Sequence, residues 1–228
     1  MKLFPENVDL HLRKGQMLSY AKRYDEALKF YKNSLRLAPG DSLRGAVWGI
    51  IGETYHLMGQ QALQKQSEDR QPKASLYESR KGPAARCKCY DAYDRSLALR
   101  YDNAMVLNNY AYFLSLEGRD LERALAMAGR AIVLEENNPT YLDTYAWVLY
   151  RLGRYDEAKK TMQQALSLDR SQSPDLQLHY GDILAALGEK FMAEVYWKKA
   201  LEGGYDDPDA IVERFRRLKE AAQTPAAP

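Results

Sequence analysis

Residues 141–166 read YLDTYAWVLYRLGRYDEAKKTMQQAL, two apolar series separated by a glycine. Leu142, Ala146 and Leu149 recur at three- and four-residue spacing before Gly153, and Ala158, Met162 and Ala165 do so after it. That spacing places each series on one face of a helix, so the stretch reads as a helical hairpin. Its second half follows a rule: a small residue, three residues, a large one, two more, and another small one. Ala27, Tyr31 and Ser34 repeat the rule, as do Ala193, Trp197 and Ala200. Small residues suit the crossing point of two helices, and large ones fill the space between hairpins. A single hairpin cannot bury its apolar face alone, so the recurrence predicts stacked hairpins with a shared core.

The full unit resembles the tetratricopeptide repeat, with a period of about 34 residues and the pattern W-x2-L-G-x2-Y, then A-x3-F, then P. The first repeat spans 8–41, with Gly15, Leu18, Ala27, Tyr31, Ser34 and Pro39 at signature positions. A second, 45–103, carries Trp48, Ile51, Gly52 and Tyr55, then Cys89, Tyr93 and Ser96. The third is 104–138, with one extra residue near Asp120; the fourth is 139–172 and the fifth 174–207. Residues 208–222 form an amphipathic helix with Ile211, Phe215 and Leu218 on one stripe, expected to cap the fifth repeat. That helix is expected to turn Arg214, Arg216, Arg217 and Lys219 to water. The resemblance implies an all-α, right-handed α-solenoid of about five hairpins plus a C-terminal capping helix. Residues 223–228 are expected to be disordered.

Local punctuation agrees with this layout. Gly59, Gly118, Gly153 and Gly188 fall where a first helix should stop, and Pro39, Pro139, Pro174 and Pro208 fall at or beside junctions. The second repeat is too long: Gly45 to Asn103 is 59 residues, about 25 beyond the period. The excess, about 60–83, is polar and predicts a mobile loop or extended helix ends. It serves as a flap or second docking element, or is a tolerated surface insertion. Phe4 and Pro5, in the 1–7 segment, stand where a preceding repeat would end. That predicts either upstream repeats or an N-terminal extension with a free first-repeat face.

Bulk properties narrow the function. Thirty-three basic and 31 acidic residues give a net charge of +2, with no excess to suggest a nucleic-acid surface. No window approaches the ~20 apolar residues of a membrane span. Cys87 and Cys89, two apart on a helix, diverge, so neither a disulfide nor a metal site is expected there. His11, His56 and His179 lie in different repeats without metal-ligand spacing, and His56 and His179 read as surface or groove histidines. No Gly-rich phosphate loop, nucleophile elbow or paired-carboxylate motif appears, so a non-enzymatic chain without cofactor or metal is expected.

The family resemblance implies a concave groove lined by the first helices, with positions two, five, six, nine, twelve and thirteen of each repeat facing it. The candidate partner-binding residues are therefore Gln16, Tyr20, Glu53, His56, Asn108, Asn109, Tyr112, Asp143, Trp147, Tyr150, Arg151, His179 and Asp182. Rings give rigid contact area and amides pair with an extended backbone; the same rings also suit packing between neighbouring first helices. Neither the family's two-carboxylate clamp nor its asparagine ladder is present: Asn109 stands where other repeats carry Arg13, Ile50, Thr144 and His179. The stretches NNYAYFLSLEGRDLERAL (108–125) and 141–166 look like bacterial multi-repeat proteins, many attached to the cell envelope. The expected function is a scaffold that binds a protein or peptide. The alternatives are self-assembly through the first repeat and a regulatory region of a larger envelope protein.

Overall fold

The structure, a computed structural model, describes residues 7–68 and 76–223, and every regular element among them is a helix. In chain order these are α1 (Val8–Tyr20), α2 (Tyr24–Leu37), α3 (Asp41–Glu68), α4 (Leu76–Leu99), α5 (Ala104–Glu117) and α6 (Leu121–Leu134). They are followed by α7 (Pro139–Arg151), α8 (Tyr155–Leu168), α9 (Pro174–Ala186), α10 (Lys190–Glu202) and α11 (Pro208–Gln223). The chain divides into two compact units, 1–106 and 107–228, with α5 beginning in the first and continuing in the second.

In the first unit α1 packs on α2, α2 on α3, and α3 on α4. Asn7 starts α1: its side-chain oxygen accepts the Leu10 backbone N–H at 3.0 Å, satisfying one of the donors a helix start leaves free. The α1–α2 crossing is close because Gly15 faces the Tyr31 ring; a Cβ at residue 15 would stand 2.4 Å from it. Gly52 on α3 stands in the same relation to Tyr93 on α4, at 2.5 Å. Trp48 is capped by the Arg95 guanidinium, 4.8 Å from the ring centre.

The long second repeat resolves into long helices. Residues 60–68 continue α3 and 76–83 open α4, so both helices outrun the 13 or 14 residues of α1 and α2. Residues 69–75 of the expected insertion lie outside the described residues. Gly59 does not end a helix, as the spacing predicts; it sits buried inside α3. The flanking Gln, Lys and Glu are good helix formers, and one glycine costs only about 1 kcal/mol in a helix interior.

In the second unit α6 packs on α7, then each helix packs on the next through α11, and α7 also meets α9. α5 joins α6 through Arg123, whose guanidinium lies 4.8 Å from the Tyr110 ring centre. Pro139 and Pro174 are first helical residues of α7 and α9, where the absent N–H costs nothing. Gly153 ends α7's hairpin turn at φ +76°, letting the Arg154 N–H reach back to the Leu149 carbonyl at 2.9 Å. The core joins Ala146, Leu149, Ala158, Met162 and Ala165 to Ile183, Leu184, Trp197, Ala200 and Ile211. Phe215 of α11 meets Trp197 edge-on at 5.6 Å, so α11 covers α10 as its apolar stripe predicts. The tail beyond Gln223, expected to be disordered, lies outside the described residues, as do residues 1–6.

Candidate functional site

The candidate residues divide between the units. Gln16 and Tyr20 on α1 and Glu53 and His56 on α3 belong to the first; the former two are exposed and the latter two half-buried. The remaining nine belong to the second unit, on α5, α7 and α9. There the packing of α9 on α7 brings rings together. His179 stacks on Trp147 with centres 4.2 Å apart, and Trp147 stacks on Tyr150 at 4.8 Å. Tyr112 of α5 tilts against His179 at 6.4 Å. Three first helices thus share one run of four rings.

His179 is not the surface or groove histidine that its isolation in sequence suggests. It is buried, and its Nδ1 lies 2.8 Å from Oδ1 of Asp143, which is buried as well. Burial pulls the imidazole pKa down, but the charge and hydrogen bond of Asp143, with the charges of Asp182 and Asp175, outweigh it. The net result is a pKa above the ordinary histidine value. Protonated, Nδ1–H donates to Asp143 and the cation lies against the Trp147 face. The Tyr112 hydroxyl is pushed up to about 12, first by burial and then by Asp143, Asp175 and Tyr205. The packing of α9 on α7 accounts for the pair: Asp143 is the fifth residue of α7 and His179 the sixth of α9.

Asp182 and Arg151 are also engaged within the chain. Asp182 accepts the Trp197 Nε1–H at 2.9 Å and two N–H groups of Arg214, at 2.7 and 2.8 Å. Arg214 also donates to the Ala210 carbonyl. Arg214 does not face water, although its charge predicts that it should: α11 turns it inward, because a buried carboxylate next to Trp197 requires a counter-charge. Its spacing carried the signal, since residues 211, 214, 215 and 218 form a single i, i+3, i+4, i+7 stripe. Arg151 reaches back to α5, donating to the Leu116 carbonyl at 3.3 Å.

Two polar atoms in this region are left over. Asn108 is only 4% exposed; its Nδ2 donates to Asn109 Oδ1 at 3.2 Å, but its own Oδ1 is buried without a partner among the described residues. Trp147 is 9% exposed and its Nε1–H is buried and unpartnered in the same sense. Buried polar groups are almost always paired, so an acceptor and a donor left open on neighbouring first helices are an anomaly. A depression of about 500 Å³ opens between Tyr150, Asp182, Ala185, Ala186, Arg214 and Leu218. Among the described residues no group of His, Cys, Asp and Glu is placed to hold a metal ion, and no helix is long and apolar enough to cross a membrane.

Residues 8–41 and 139–171 each match the tetratricopeptide repeat family. Those two segments are tetratricopeptide repeats. Solved proteins of this repeat family share the arrangement at low identity. PilW, a type IV pilus biogenesis factor, is 15% identical, with a TM-score of 0.69 over 95% of this chain and 87% of PilW. Pseudomonas aeruginosa PilF is 19% identical, with a TM-score of 0.63 over 94% of this chain and 87% of PilF. YrrB, a repeat protein with an unusual peptide-binding site, is 17% identical, with a TM-score of 0.56 over 93% of each chain. At such identities the likeness concerns the fold. No curated protein sequence matches the chain. The tetratricopeptide fold is an interaction scaffold, and the four-ring run lies on α5, α7 and α9.

Proposed function

We propose that this chain is a non-catalytic scaffold that binds a segment of a partner protein along α5, α7 and α9. The observation that carries the proposal is the run of four rings across α5, α7 and α9, flanked by two buried polar atoms, Asn108 Oδ1 and Trp147 Nε1, that have no partner among the described residues. A peptide backbone offers one N–H and one C=O per residue, the complements of this acceptor and this donor once the half-buried rings above them shift to admit it. Tyr112 and Tyr150 are half-buried and supply stiff contact area at low entropic cost. The depression beyond Tyr150 has room for a side chain of the bound segment. Catalysis is not part of the proposal: His179, the imidazole of the run, is committed to Asp143. The peptide-binding site of YrrB is consistent with such a use of this fold.

The test is selection of displayed random peptides on the full chain, followed by titration of the selected peptides against variants. Tyr112→Ala and Tyr150→Ala should each weaken binding about tenfold, the loss of one good aromatic contact, with helicity unchanged. Selected peptides that bind both variants as tightly as the parent would move the site elsewhere.

A further inference from the structure

The first helix of the first unit shows core-type residues to solvent. The third and tenth residues of a repeat are Tyr141 and Val148 in α7 and Leu176 and Ile183 in α9. All four are buried, in helices packed on the preceding α6 and α8. In α1 the same positions are Leu10 and Met17, exposed at 37% and 67%. With Arg13 and Tyr20, the latter 91% exposed, they form a stripe at i, i+3, i+7 and i+10 along one side of α1. Scattered apolar residues on a surface need no explanation, but an apolar stripe at positions that other repeats use for packing does.

We propose that this stripe docks a second copy of the chain, head to tail. Charge distribution argues for that occupant. The near-neutral chain is strongly divided: residues 1–106 hold 18 basic and 12 acidic side chains, and 107–228 hold 15 basic and 19 acidic. Two copies therefore attract when the first unit of one meets the second unit of the other, and repel in the like-to-like pairing. On the second unit, α10 presents a stripe of matching period: Phe191, Glu194, Lys198 and Leu201, all exposed. Glu202 adjoins it, and the exposed Asp206, Asp207 and Asp209 follow. Leu10, Met17 and Tyr20 then cover Phe191 and Leu201, and Arg13 and Lys14 meet Glu194 and Glu202. Because the two surfaces differ, every added copy leaves one of each free, and the contact propagates.

Sedimentation of the full chain over rising concentration tests this. Average mass should climb past that of a dimer at low ionic strength and fall back in high salt, where screening shortens the reach of the attraction. Met17→Lys and Phe191→Lys, both at exposed positions, should each weaken association about tenfold, the equivalent of 1.4 kcal/mol. Arg13→Glu and Glu194→Arg should each abolish it alone and restore pairing when the two variants are mixed. A chain that stays monomeric at all concentrations, or that associates equally well with Met17→Lys, overturns the proposal. Peptide capture by α5, α7 and α9 is read separately, so neither result depends on the other.

Discussion

Gly181 and Trp197 fit together because one of them has no side chain: a Cβ at residue 181 would lie 2.4 Å from Cδ1 of the indole. The indole is almost wholly buried and donates from Nε1 to Asp182, so it has no room to retreat. Gly15 with Tyr31 and Gly52 with Tyr93 repeat the relation, whereas the fourth repeat sets Ala146 against Met162 in the corresponding places. The hairpin crossing therefore conserves volume, trading a methyl on one helix for a ring on the other. Gly181→Ala should cost about 1–3 kcal/mol through overpacking. Combined with Trp197→Met it should cost less than the sum of the two single changes, with a coupling of about 1 kcal/mol. Denaturant unfolding of the four proteins measures this; strict additivity would mean the two residues do not share the crossing.

Hairpin boundaries are legible in the sequence because each rests on chemistry within a few residues, such as Pro139 opening α7 and Gly153 at a positive φ after it. The long helices α3 and α4 are not, since a polar stretch rich in Gln, Lys and Glu suits a loop and a helix equally. The ring residues can be placed from register alone: Trp147 and Tyr150 follow from the repeat. Their use cannot. Whether Trp147 is open or stacked depends on His179, 32 residues later, and on the spacing of α7 and α9. The pairing of Asp143 with His179 is likewise a product of neighbouring repeats meeting. Arg214 is misread for a different reason, because its charge predicts water while its helical spacing predicts burial, and the counter-charge on Asp182 lets spacing win.

The His179–Asp143 pair makes the second unit's stability fall as pH rises. The folded-state pKa of His179 is raised. Its contribution is therefore fully present below the ordinary value of about 6.5 and is lost as pH climbs through the higher folded value. Asp143→Asn keeps an acceptor for Nδ1–H but removes the charge, and should bring the His179 titration down. Proton NMR of the imidazole reads this directly, and thermal unfolding across neutral pH should show a flatter profile in the variant. A His179 that titrates below the free-histidine value in the parent would show that burial outweighs Asp143.

Arg214 should hold α11 in place. Removing it leaves Asp182, 8% exposed, with only the Trp197 N–H to balance a full charge. Arg214→Ala should cost toward the lower end of the roughly 3–5 kcal/mol typical of stranding a buried ion partner, because the guanidinium is itself part-exposed. Arg214→Lys keeps the charge but not the two parallel bonds, and should fall between. Amide hydrogen exchange locates the effect: protection in α11 should drop well before that of α7 and α8. Unchanged protection of α11 would mean that Ile211 and Phe215 secure the helix without the ion pair.

Asn108 separates folding from binding most cleanly. Its Oδ1 is buried without a partner in the described residues, and such a group costs about 1–3 kcal/mol relative to one that is paired. A scaffold that served only its own stability would place an apolar side chain there, as the fifth repeat does with Leu178. Asn108→Leu gives up one amide bond to Asn109, whose part-exposed side chain has access to water. The variant should therefore unfold at a higher temperature, by about 1 kcal/mol of added stability, while losing affinity for selected peptides. Binding sites commonly carry such a trade, in which stability is given up for a polar group kept ready for a ligand. A variant both less stable and equally able to bind would assign Asn108 to the fold rather than to recognition.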